Sequence, residues 1–130
     1  MPVEWNESYA VGEARIDRQH KNLFDFINRL ENLIAQQRLE PSEVENLFAF
    51  LDAYVNTHFA YEELCMRLRG CPIAQKNKEA HDKFLSFWAG FLKEYSPATV
   101  SLKALEELQE TLTSWLKQHI CKIDVKLRQA

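Results

Sequence analysis

The sequence is short of residues that break regular structure, with three glycines and four prolines among 130 residues. So few turn formers weigh against a many-stranded β fold and favour long helices with brief connections. No charge sign dominates: 16 basic against 19 acidic side chains leave a net charge of -3 and no basic stripe, so nucleic acid is not an expected partner. Three cysteines cannot all pair within one chain, and Cys65, Cys71 and Cys121 match no CxxC metal pattern, so reduced thiols are expected. Apolar runs of membrane-spanning length are missing, and "MPVEWNESYAVGEARID" has no basic start followed by an apolar core. These absences point to the cytoplasm and away from a membrane. No Ser/His/Asp arrangement or phosphate-cradling glycine loop is found, so no catalytic residue is assigned.

What the chain does contain is helical spacing. Its 46% apolar and 27% charged residues suit one all-α domain over 1–130. Pro41, Pro72 and Pro97 cut it into four pieces. Within the first two, apolar positions recur as Ile16, Leu23, Phe24, Ile27, Leu30 and then Val44, Leu47, Phe48, Leu51, Val55; the last two repeat the pattern through Trp88 and Leu112. The predicted helices run over about 17–38, 42–69, 73–95 and 100–119. "SEVE" from Ser42 has capping-box spacing, and "RGCP" offers Gly70 for a left-handed turn and Pro72 to open the next helix. Four such helices most simply form an antiparallel up-down-up-down bundle. Residues 1–16 are then an extended arm held by Trp5 and Tyr9, and 121–130 a short tail.

Polar residues interrupt these stripes. The four histidines, His20, His58, His81 and His119, fall one per predicted helix, each on its apolar face. Glu62 follows His58 by one turn, and Asn77 precedes His81 by one turn. A lone histidine on an apolar face is usually a hydrogen-bonded core residue. Four together are different. Counting at about 1.5 Å per residue from turns near 40, 71 and 98, the histidines and Glu62 converge to within roughly 2–6 Å of depth. Several imidazoles and a carboxylate in one apolar layer each cost several kcal/mol if unpaired, and a metal would satisfy them together. Imidazole with carboxylate suits iron, manganese or zinc. Asp124, five residues beyond His119, would supply a second carboxylate for a dinuclear centre if the helix loosens there.

These residues carry a family resemblance. The opening "VEWNESYAVGEARIDRQHKNLFDFINRL", the HxxxE element in "HFAYEE" and the HxxxxD element in "HICKID" together resemble the hemerythrin family in its small bacterial form, over nearly the whole chain. That family includes myohemerythrin, itself an up-and-down four-helix bundle. The resemblance implies two iron ions in a non-heme, oxo- or hydroxo-bridged centre that binds dioxygen for carriage, storage or sensing. It implies that His20 and His58 hold one iron, His81 and His119 the other, with Glu62 and Asp124 bridging.

One position departs from the pattern. Where the family has HxxxH in the third helix, this chain reads "NKEAH", with Asn77 in the first slot. An amide oxygen is a weaker and harder donor than imidazole, so Asn77 is expected as a weak or water-mediated ligand. An additional open position would favour reaction with peroxide or nitric oxide, the alternative to reversible dioxygen binding. A metal-poor or zinc-filled interaction module is the third reading. Glu63, next to Glu62, is the other candidate to replace the lost donor, but its helical angle points away from the layer. Phe59, Trp115 and Leu116 are the expected oxygen pocket, since they adjoin the ligand positions on their helices. No protein partner can be named from the sequence, and non-enzymatic binding is preferred to catalysis.

Overall fold

The predicted periodicity becomes four α-helices in a computed structural model of the chain, which describes residues 3–37 and 39–120. A single 3-10 turn, Glu7–Tyr9, precedes α1 (Ala14–Gln36), α2 (Pro41–Leu68), α3 (Ala74–Glu94) and α4 (Leu102–Trp115), and a π turn, Leu116–Ile120, extends α4. No strand occurs among the described residues. Helix α1 packs on α2 and α4, and α2 packs on α3. The expected all-α four-helix bundle is thus the fold. The predicted tail at 121–130, including Cys121 and Asp124, lies outside the described residues.

Local chemistry sets the helix ends. α1 starts three residues before the expected 17, because the Glu13 carboxylate turns back to accept the Ile16 N–H at 2.8 Å and so satisfies an amide of the first turn. The arm is correspondingly shorter. It is tied at its start by Asn28, whose side chain exchanges two 2.8 Å hydrogen bonds with the Val3 backbone. Trp5 and Tyr9 pack against the core as expected, with Tyr9 5.4 Å from the Phe24 ring and Lys21 4.2 Å above Trp5.

The capping box predicted at Ser42 does not form. Pro41 takes the first helical position, where its fixed φ and missing N–H cost nothing, so the helix starts one residue earlier and Ser42 lies inside it. Glu40 is the cap residue and makes no side-chain capping bond. At the other end of α2, Gly70 adopts φ 61, and the Cys71 and Gly70 amides donate to Met66 and Arg67 carbonyls at 2.9 and 3.1 Å. This left-handed closure is the role expected of Gly70.

Ser101 caps α4, accepting the Ala104 N–H at 3.1 Å. Ser101→Ala should therefore lower stability by about 1 kcal/mol, read as a drop of a few degrees in thermal midpoint. An unchanged midpoint would mean that this cap contributes nothing.

Each stripe breaks at one level. In α1 the buried order is Ile16, His20, Leu23; in α2 it is Val55, His58, Phe59, Glu62, Met66; in α3 it is Asn77, His81, Phe84. Val11, Ile16, Met66 and Cys71 form a small apolar cluster on one side of this level, and Leu23, Val55, Phe59, Phe84, Leu112 and Leu116 belong to the main core on the other. A polar layer separates two apolar ones.

Candidate metal centre

Among the described residues, the buried polar side chains are His20, His58, Glu62, Asn77, His81 and His119. All six come from the layer between the clusters, and each helix contributes through ordinary helical spacing, except that His119 stands within the π turn. Such wide turns frequently mark functional sites, because the extra residue re-aims a side chain.

Glu62 lies at the middle, and its two oxygens face different partners. Oε2 is 3.2 Å from His20 Nε2 and 3.6 Å from His58 Nε2. Oε1 is 3.1 Å from His81 Nε2 and 3.9 Å from His119 Nε2. His119 Nε2 in turn stands 3.1 Å from His81 Nε2. Two potential metal-binding sets result, His20–His58–Glu62 and Glu62–His81–His119, with donor atoms within 4.8 Å of one another in each and Glu62 common to both.

The outer ring nitrogens of His58 and His81 have partners of their own. His58 Nδ1 donates to the Gln19 side-chain oxygen at 2.6 Å, and the Gln19 carbonyl accepts the Tyr54 hydroxyl at 2.7 Å. His81 Nδ1 donates to Glu63 Oε2 at 3.0 Å. With those protons outward, each ring turns its Nε2 inward, toward Glu62. Glu63 is therefore not directed away from the layer, as its helical angle suggested, but wraps onto the rim of a layer residue. Neither Gln19 nor Glu63 carries a sequence signal for this role, since both lie outside the apolar stripes.

Electrostatics bears on what the layer holds. Burial drives the His58 imidazole down to about 3, against the upward pull of Glu62, so the ring is neutral at ordinary pH. Burial alone would raise Glu62, yet the combined pull of His119, His20, His81 and His58 holds its carboxyl well below the usual range. The His119 share is electrostatic, since 3.9 Å is too long for a hydrogen bond. The consequence is a mismatch: His58 Nε2 has no hydrogen-bond partner, and its lone pair looks toward an ionised oxygen 3.6 Å away. Two facing acceptors want a cation between them. Ligand atoms bound about 2.1 Å from one first-row ion at 90–110° would stand about 3.0–3.4 Å apart, close to the spacings observed. The residues present fit a nitrogen- and oxygen-liganded metal.

Aromatic rings close the layer on the main-core side. Phe59 stacks on His81 with centroids 3.9 Å apart and planes 2° from parallel. Trp115 stacks on His119 at 4.3 Å and lies 5.3 Å from Phe59. Leu116 is buried in the same core, while Trp115 also lines a surface groove with Glu110, Ser114 and Gln118. Of the sequence-predicted site residues, the structure gathers His20, His58, Glu62, His81 and His119, buries Asn77 one turn from His81, and sets Phe59 and Trp115 against the imidazoles. Asp124 is the one that lies outside the described residues.

Comparison with known proteins agrees with this chemistry. The family model described as "Hemerythrin HHE cation binding domain" matches residues 11–129. A bacteriohemerythrin of Pseudomonas aeruginosa (strain LESB58) is 31% identical over 120 residues, spanning 89% of this chain and 72% of the relative. A hemerythrin-like protein of Naegleria gruberi is 30% identical over 127 residues, spanning 98% and 92%. A bacteriohemerythrin of Stenotrophomonas maltophilia is 28% identical over 117 residues.

Proposed function

The chain belongs to the hemerythrin family, and from that premise we propose that it is a non-heme di-iron protein that binds dioxygen reversibly. The observation that carries this reading is the division of Glu62, one oxygen toward His20 and His58 and the other toward His81 and His119. A carboxylate so placed can serve two ions at once. We assign His20 and His58 to one iron and His81 and His119 to the other, with Glu62 between them and Asp124 as the second bridging carboxylate. Iron, when bound, supplies the electrons and the coordination position that dioxygen needs.

The protein's part is to hold donors and exclude water. Phe59, Trp115 and Leu116 form the apolar wall, and that wall keeps water and its protons away from the donor atoms. Trp115 touches both the surface groove and His119, so it is the assigned point where a small ligand passes. No described helix is long and apolar enough to cross a membrane. The unpaired thiols of Cys65 and Cys71 suit a reducing compartment, which supports action in the cytoplasm.

Loading the chain with ferrous iron under argon, followed by metal analysis and alternating dioxygen and argon, tests the proposal. The expected result is two irons per chain and a near-ultraviolet and visible band that rises under dioxygen and fades under argon through repeated cycles. Retention of zinc alone, or a spectrum that only bleaches, would overturn it.

Asn77 favours a second reading. Its side chain is fully buried one turn from His81, where the family pattern has an imidazole. An amide there leaves the His81–His119 subsite with one strong donor fewer, which suits reaction with peroxide or nitric oxide over storage. Asn77→His should slow peroxide turnover and make the optical change more reversible if this reading holds. Equal turnover in both proteins would remove it.

A further inference from the structure

Glu62 and Glu63 are adjacent in sequence but about 100° apart around the helix, and they engage opposite edges of the same ring. Glu62 Oε1 is 3.1 Å from His81 Nε2, and Glu63 Oε2 is 3.0 Å from His81 Nδ1. The first carboxylate is fully buried, whereas the second is 28% exposed and sits at the rim. Phe59 lies flat on the His81 face, so the ring cannot rotate without losing that stack or the Glu63 bond. The nearby Lys78 is held by Asp82 at 2.9 Å. His81 is thus the partner the Glu63 carboxylate is placed to serve.

The other half of the layer is built differently. His58 has a neutral amide, Gln19, in the corresponding place at 2.6 Å. A carboxylate accepting an imidazole N–H makes a charge-assisted bond, and it strengthens the donor power of the opposite ring nitrogen more than an amide does. The anionic partner falls on the subsite that also carries Asn77.

We propose that Glu63 is a positioning residue that holds His81 with Nε2 toward Glu62 and offsets, through its charge, the imidazole missing at Asn77. This rests on the di-iron reading. Its consequence is that the two ions are bound by unequal devices: removal of Glu63 weakens the His81–His119 subsite and spares the His20–His58 subsite. Glutamine at 63 keeps an acceptor for the Nδ1 proton and loses the charge; leucine loses both.

Two measurements on the full chain separate this role from a structural one. Ferrous iron binding under argon against a competing chelator should show two sites in the wild type. Glu63→Leu should weaken one of them by about 10–100-fold, leaving near one iron per chain at limiting metal, and Glu63→Gln should recover part of the loss. In the metal-free protein, nitrogen-15 spectra of the four histidines should show a proton held on His81 Nδ1. Glu63→Leu should change the His81 Nδ1 signal and leave the other rings unchanged. Wild-type binding at two sites with Glu63→Leu indistinguishable in affinity and in the His81 Nδ1 signal would overturn the proposal alone. A wild type that takes up no second ion would overturn the di-iron reading, and the His81 Nδ1 signal would still decide whether Glu63 orients the ring.

Discussion

Replacing Glu62 with alanine is expected to abolish iron retention at both subsites, the largest effect of any single substitution in the layer. The reason is geometric. His20 and His58 face one carboxylate oxygen and His81 and His119 the other, and among the described residues no other carboxylate joins both sets. Losing an outer partner of a ligand typically costs about 10–100-fold in metal affinity, so losing the shared inner donor should exceed that at each subsite. Glu62→Gln keeps the shape but has a single oxygen, so it should support one ion at most. Iron per chain after reconstitution and gel filtration is the measurement. Two irons retained by Glu62→Ala would mean that the carboxylate does not bridge.

Acid should destabilise the metal-free protein well before ordinary carboxylates titrate. His58 is neutral in the folded state down to about 3 because burial opposes its charge, whereas in the unfolded chain it protonates at its ordinary 6.5. Between those values the unfolded state binds the additional proton, so stability falls as pH falls. Over the whole window the cost is on the order of 5 kcal/mol, comparable with the total stability of many domains. Glu62 acts in the same direction at lower pH: its folded pKa lies below 4.5, so its contribution is present above that value and is lost as pH drops through the folded one. Denaturant midpoints of the metal-free protein from pH 8 to pH 4 should decline steadily below about 6.5. A flat profile between pH 7 and pH 5 would contradict a buried, neutral His58. Bound metal should shift this behaviour, because protons and cation compete for the same imidazole nitrogens.

Much of the molecule is written in its apolar spacing. Leu23, Phe24 and Ile27 or Leu105, Leu108 and Leu112 can bury together only on a helix, and His20, His58, Glu62, His81 and His119 are legible because they stand where such a stripe should continue. Helix ends were less legible, since they depend on which of several side chains wins the first turn. Glu13 captures the Ile16 amide and moves α1 forward, and Pro41 pre-empts Ser42 through its ring rather than any hydrogen bond. The left-handed Gln37 that closes α1 had no glycine to announce it. Gln19 and Glu63 were hidden for another reason: each belongs to the polar side of its helix by pattern, and only the packed neighbour shows what it reaches. Periodicity reports which face is dry, not which rim residues bend over it.

The π turn at the end of α4 has a bearing on how such a chain can change over evolution. An additional residue in one turn puts everything after it about 100° out of phase with what came before. Leu105, Leu108 and Leu112 answer to the packing of the bundle, while His119 obeys a separate register within the slip. Substitutions along the leucine face can therefore accumulate without steering that imidazole, and a single deletion that closed the slip would leave it near the same angle, since the wide turn fits one more residue into the arc of an ordinary one.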